Sequence, residues 1–277
     1  MLPKIKTSQA ARVWVDMYID VHCHLTGQEY DAVGGVEEVI ARAQENGVGI
    51  IICSGFDLDS SRISAEIAQK HENVYFCAGF HPSELAKYRE GDLEKVRALC
   101  QNEKCVAVGE IGLDYHFDDN PPKDVQRDLF IRQLVLADEM GLPVVLHSRD
   151  AAQETLCLLQ ENKGLLKKGG LMHCYSYSPE MMAEFEKLGL CFSFGGTSTF
   201  KNAKKTQECV QRVPATRILS ETDCPYLTPV PFRGTFPNEP KNVKYVVENM
   251  AALRNENEEE LQKQILQNAK TLFFRLK

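Results

Sequence analysis

Eight short apolar runs recur along the chain, at residues 18–21, 49–53, 74–79, 105–110, 143–147, 170–174, 190–194 and 217–220. Longer amphipathic stretches lie between them, such as 36–44, 93–100, 125–140 and 179–188. Near-continuous apolar strands separated by helices belong to a parallel sheet covered on its faces. Eight such units in 277 residues predict one α/β domain, a single (β/α)8 TIM barrel. An open doubly wound sheet is the alternative, but no G-x-G-x-x-G follows the first run. Gly47, Gly141 and Gly189 each end a helical stretch ahead of a strand, as C-cap glycines do. Beyond the eighth strand, residues 228–240 carry Pro229, Pro231, Pro237 and Pro240, which predicts a long, stiff loop. Helices are expected over 242–254 and 258–276. Residues 1–17 are set apart as an extension without an assigned function, and 18–277 as the barrel.

Ten cysteines are scattered along the chain without a C-x-x-C pair, and Cys53 and Cys77 sit inside apolar runs. That usage reads as small buried hydrophobes in a reduced, cytoplasmic protein. No apolar stretch approaches the roughly 18–20 residues that a membrane span needs, and nothing calls for an obligate protein partner. The net charge is −7, with no basic stripe. A polyanionic substrate would therefore need local positive charge, which bound metal ions supply.

The first run ends Asp20-Val21-His22-Cys23-His24. Residues i, i+2 and i+4 of a strand share a face, so His22 and His24 are expected to point together and grip one cation, with Asp20 supporting them from behind. Taken alone, an H-x-H pair is equally a pair of solvated loop histidines. The chain has only seven histidines, however, and His147 and His173 end the fifth and sixth runs. Glu110 ends the fourth, and Asp223 follows the eighth. Barrel enzymes place catalytic groups at the C-terminal ends of their strands. Six ligand-type side chains are thus expected on one rim. His22, His24 and Asp223 belong to neighbouring strands, His147 and His173 lie across the mouth, and Glu110 bridges two divalent cations. Such a pair suits metal-dependent hydrolysis by in-line displacement.

The chain resembles the TatD family of metal-dependent deoxyribonucleases. The resemblance rests on Ile19-Asp20-Val21-His22-Cys23-His24-Leu25, Gly79-Phe80-His81-Pro82, Val108-Gly109-Glu110-Ile111-Gly112-Leu113-Asp114-Tyr115, Leu146-His147-Ser148-Arg149, His173-Cys174-Tyr175 and Glu221-Thr222-Asp223-Cys224-Pro225-Tyr226-Leu227. His116 departs from the family pattern, which often has an aromatic there. The resemblance implies a metal-dependent phosphodiesterase, a 3′-5′ deoxyribonuclease acting on single-stranded DNA or 3′ ends through a hydroxide activated by two metals. Asp223 is then the proton acceptor and Glu110 the catalytic bridge. His81, Arg149 and, on its loop, Arg233 are candidates to bind substrate phosphates. The competing role for His81 is helix capping beside Pro82, and for Arg149 an ion pair with Asp150. Tyr115, Tyr175 and Tyr226 either stack on bases or pack the loops. Cys224 beside Asp223 has no free histidine to activate it and is expected to pack.

Imidazole ligands suit Zn2+ or Mn2+, whereas the resemblance implies that Mg2+ supports nuclease activity. The rival readings are an aminoacyl-tRNA deacylase, another amidohydrolase-like enzyme acting at carbon, and a catalytically idle metal-binding protein. Amidohydrolase barrels often bridge their metals with a modified lysine on strand four, where this chain has Glu110.

Overall fold

The computed structural model describes residues 17–277, and the remainder of the expected N-terminal extension lies outside the described residues. Met17, the last residue set apart as extension, is buried against the core. Eight strands run in chain order: β1 Tyr18–Cys23, β2 Val48–Ser54, β3 Val74–Ala78, β4 Cys105–Asp114, β5 Val144–Arg149, β6 Gly170–Met172, β7 Leu190–Phe194 and β8 Ile218–Ser220. Each pairs in parallel with the next. The intervening helices are α1 Gly35–Glu45, α2 Leu58–Lys70, α3 Asp92–Cys100, α4 Lys123–Met140, α5 Ala152–Glu161, α6 Pro179–Glu186 and α7 Lys204–Arg212; α8 Val243–Arg254 and α9 Glu258–Leu272 follow the last strand. The architecture is the (β/α)8 barrel that the alternating pattern predicts. No helix among the described residues is long and apolar enough to cross a membrane.

The ends of the sheet meet through a few specific bonds. Asp223 N–H donates to His22 O at 3.0 Å and His24 N–H to Cys224 O at 2.7 Å. Ser220 Oγ donates to Ile19 O at 2.8 Å. The fully buried Asp20 carboxylate accepts from Thr222 N–H at 2.9 Å and from Thr222 Oγ1 at 2.5 Å. Its spacing suggests that Asp20 orients the imidazoles; instead its oxygens take the backbone N–H and the hydroxyl of Thr222 and so stitch β1 to the segment after β8.

β4 continues past Glu110 because Ile111 and Leu113 keep pairing with Leu146 and Ser148 of β5. Gly112 permits that approach: its φ is +145°, and a Cβ there would collide with the His147 carbonyl oxygen. Helix α4 supports the mouth with two buried glutamines a heptad apart. Gln133 bonds both N–H and C=O of Phe80, at 2.7 and 3.0 Å, and Gln126 does the same for Asp114, at 2.9 Å each. Backbone groups at the strand ends, which have no ladder partner, are thereby satisfied. Helix α9 stops short of its expected end. Phe273 turns into the core, and Arg275 reaches the carbonyls of Cys100, Asn102 and Cys105 at 2.7–3.0 Å.

Removing the stitch tests its contribution. Asp20→Ala leaves two buried donors of Thr222 without an acceptor and is expected to cost about 3 kcal/mol, read as a lower urea midpoint at constant m-value. An unchanged midpoint would show that closure does not depend on this carboxylate.

Candidate metal centre

Four strand ends and the segment after β8 deliver the six expected side chains into one buried cluster around Glu110, which is only 3% exposed. Glu110 Oε2 lies 3.2 Å from His22 Nε2 and 3.5 Å from His24 Nε2. Glu110 Oε1 lies 2.8 Å from both His147 Nδ1 and His173 Nε2. Asp223 Oδ1 faces the first pair, 3.7 Å from His22 Nε2 and 3.5 Å from His24 Nε2. The two halves touch where His22 stacks on His173, centroids 3.9 Å apart.

The remaining nitrogens fix the tautomers of His24 and His147. His24 Nδ1 sits 2.9 Å from the Ser54 carbonyl, which only accepts, so Nδ1 carries the proton and Nε2 turns its lone pair into the cluster. His22 Nδ1 meets Ser54 Oγ at 3.1 Å. His147 is reversed. Its Nε2 faces Asp114 Oδ2 at 3.2 Å, which directs the Nδ1 lone pair inward. His173 Nδ1 lies 3.8 Å from Glu221 Oε1, and both atoms are buried without a hydrogen bond. Ser193 Oγ holds the other Glu221 oxygen at 2.5 Å.

These lone pairs converge on points rather than on donors. His22 Nε2 and His24 Nε2 are 3.3 Å apart, as are His147 Nδ1 and His173 Nε2. Two nitrogens each about 2.0–2.1 Å from a tetrahedral cation are separated by about 3.3–3.4 Å. The charges agree with this geometry. Burial pushes Glu110 up, but the neighbouring His173, His81 and His22 outweigh it and hold the carboxyl well below its ordinary range. Burial likewise opposes charge on His24, yet Asp223 and Glu110 raise it to about 9. Burial is overcome at His173 by Glu110, which raises it well above its usual value. The carboxylates thus draw positive charge into the cluster, and a divalent cation supplies that charge without protons.

His81 faces the same cluster and caps a helix as well. Its Nδ1 accepts from Ser83 N–H at 3.1 Å at the start of the 3-10 helix Pro82–Lys87, while Nε2 approaches Glu110 Oε1 at 3.4 Å. Burial, then the charge of His147, lowers His81 to about 3. A neutral ring that accepts at Nδ1 presents Nε2–H to the mouth.

Arg149 and Arg233 are exposed and do not join the buried cluster. Arg149 lies over Phe117 at 4.9 Å, and Arg233 over Phe200 at 4.0 Å. Asp150, expected as the alternative partner of Arg149, pairs instead with His116 at 2.7 Å. Of the three candidate tyrosines, Tyr175 is buried against Phe192 and donates to Ser178 O, so it packs. Tyr115 is half-buried under Lys123, and Tyr226 alone is exposed. Cys224 is fully buried, and all ten cysteines are free.

Sequence reasoning missed Ser54, Asp114 and Glu221 as the groups behind the imidazoles. Two of them carried a signal: Asp114 lies four residues after Glu110 on β4, and Glu221 two before Asp223, the spacings that share a strand face.

Residues 19–274 match the family described as TatD related DNase. The uncharacterized metal-dependent hydrolase YabD of Bacillus subtilis is 43% identical over 93% of this chain and 99% of its own. The protein named 3′-5′ ssDNA/RNA exonuclease TatD of Klebsiella pneumoniae is 32% identical over 92% of this chain and 97% of its own. The crystal structure of YJJV, a TatD homolog from Escherichia coli K12, superposes with a TM-score of 0.86 at 33% identity, covering 93% of this chain and 98% of that one.

The orienting carboxylates can be tested without any activity. Asp114→Asn lets His147 rotate and is expected to weaken cation affinity about 10- to 100-fold, measured by competition with a chromogenic chelator. Affinity equal to that of the unaltered protein would remove Asp114 from the site.

Proposed function

Because the chain belongs to the TatD-related DNase family and is therefore a metal-dependent hydrolase, we propose that it hydrolyses phosphodiester bonds of single-stranded DNA from the 3′ end with two divalent cations. The observation that carries this reading is the division of Glu110, one oxygen toward His22 and His24 and the other toward His147 and His173. His22, His24 and Asp223 would hold one cation, and His147 and His173 the other, with Glu110 shared. When bound, such a pair polarises phosphoryl oxygens and lowers the pKa of water toward about 7.

The chain's own groups supply the rest. Burial pushes Asp223 up, but the neighbouring imidazoles of His24, His173 and His22 outweigh it and hold the carboxyl below its ordinary range. Its carboxylate is the acceptor for the proton of the attacking water. His81 Nε2–H donates to a non-bridging phosphate oxygen, and its bond to Ser83 fixes the direction. Arg149 and Arg233 meet phosphates farther along the strand, their planes set by Phe117 and Phe200.

The relative named as an exonuclease of single-stranded DNA and RNA supports a nucleic-acid substrate over a carbon electrophile. The imidazole-rich donor set favours Mn2+ or Zn2+, and Mg2+ is the third candidate. Metal analysis of the purified protein decides among them. Incubation of the reconstituted protein with end-labelled single-stranded DNA, RNA and charged tRNA tests the reaction. A ladder shortening from the 3′ end of DNA is the expected product, and deacylated but intact tRNA the opposing one.

Two substitutions separate the roles. Glu110→Ala is expected to lower turnover by about 10³-fold or more while retaining the circular dichroism of the fold; full activity would remove the bridge. His81→Ala is expected to raise KM for an oligonucleotide about tenfold, the loss of one hydrogen bond to a charged group, with a smaller change in kcat. Unchanged kinetics would return His81 to a capping role alone.

A further inference from the structure

Large hydrophobic side chains left in water are few among the described residues, and nearly half of them gather in one loop. Four of the nine, Tyr226, Val230, Phe232 and Phe236, fall within residues 226–236, the loop that leaves Asp223. Isolated exposed apolar residues need no explanation, whereas a contiguous patch marks a binding surface. Tyr226 and Phe236 are 55% and 59% exposed, with ring centroids 6.2 Å apart and planes inclined by 39°. The loop that carries them is tightly braced. Thr228 Oγ1 donates to Thr235 O at 2.6 Å, Val230 N–H to Thr199 Oγ1 at 2.9 Å, and Asn238 Nδ2 to Tyr226 O at 2.7 Å. Tyr226 N–H itself donates to the carbonyl of Asp223 at 3.1 Å, which ties the patch to the metal cluster.

The opposite side of the mouth carries one exposed ring of its own. Phe117, 50% exposed, follows β4 and lies beneath Arg149 from the end of β5. In a ring of eight strands β4 stands across from β8. Each side of the mouth thus carries an exposed arginine near its exposed rings: Arg149 lies directly over Phe117, and Arg233 sits within the 226–236 loop itself, over the half-buried Phe200. An apolar protein partner gains nothing from cations set into its contact. A polynucleotide strand offers a flat base and an anionic phosphate in every repeat, and stacking accepts any base.

We propose that the 226–236 loop is a stacking platform for unpaired bases beside the scissile phosphate, with Tyr226 and Phe236 as its two faces, so that cleavage depends on bases as well as on phosphates. The proposal rests on the nuclease reading and names the part of the substrate that the loop recognises. Rigid aromatic faces held ready at low conformational cost suit substrates of many sequences.

The test uses the metal-loaded full chain and two 5′-labelled strands: oligothymidylate, and the same strand with abasic residues in place of its last 3′ bases. The Y226A/F236A variant should lose about tenfold or more in kcat/KM on oligothymidylate. It should match the unaltered protein on the abasic strand, and Tyr226→Phe should keep near-full activity on both. Equal losses on the two strands, or none on oligothymidylate, would overturn the platform. So would a change in self-association by sedimentation velocity with cleavage untouched, which would assign the patch to a second copy of the chain. If the unaltered protein cleaves neither strand, the nuclease reading falls and the platform falls with it.

Discussion

A single buried carboxylate organises this barrel. Glu110 is surrounded by imidazoles on both of its oxygens, and its charge favours the protonated form of each of them against burial. A carboxylate so deeply enclosed is tolerated only when positive charge or hydrogen bonds surround it. The fold answers that demand with imidazoles from four other directions around the ring: β1, the segment after β3, β5 and the end of β6. Behind the imidazoles, the Ser54 carbonyl and the Asp114 carboxylate decide which nitrogen His24 and His147 turn inward, while the Ser54 hydroxyl meets His22 and Glu221 lies behind His173.

The supporting structure is polar where barrel cores are usually apolar. Gln126 and Gln133 of α4 satisfy the backbone at the ends of β4 and β3, close to Asp114 and His81. Ser193 holds Glu221, and Asp20 holds Thr222 beside Asp223. Asp114, Phe80, Glu221 and Thr222, which adjoin the functional side chains, are thus themselves held by buried hydrogen bonds. Sites held in this way keep their geometry between turnovers.

Much of this was legible in the order of residues. The eight apolar runs convey the barrel because period and length speak directly to parallel strands. Residues at strand ends converge by construction, which is why the spacing of His22, His24, Glu110, His147, His173 and Asp223 carried so far. What escaped was pairing across the fold. Asp20 shares a face with two histidines in sequence, but Thr222 on the far side of the ring offers it better donors. Tyr175 follows a rim motif as Tyr226 does, yet one meets Phe192 and the other meets water. Phe117, Phe232 and Phe236 carried no motif at all, because exposure is decided by what fails to pack on a residue. Arg149 turned to Phe117 rather than Asp150 for the same kind of reason: His116 already holds that acid.

The closing contacts of the barrel bear on when the protein becomes competent. The bond between Thr222 and Asp20 joins residues 202 positions apart, and His24 and Asp223 meet across the same seam. Contacts of such separation are slow to form, because a long loop must be closed before they are rewarded. During synthesis the first two histidines emerge early and wait for an aspartate that comes after the eighth strand. A growing or truncated chain therefore lacks the full set of charges, and the hydrolase stays silent until its two ends have found each other.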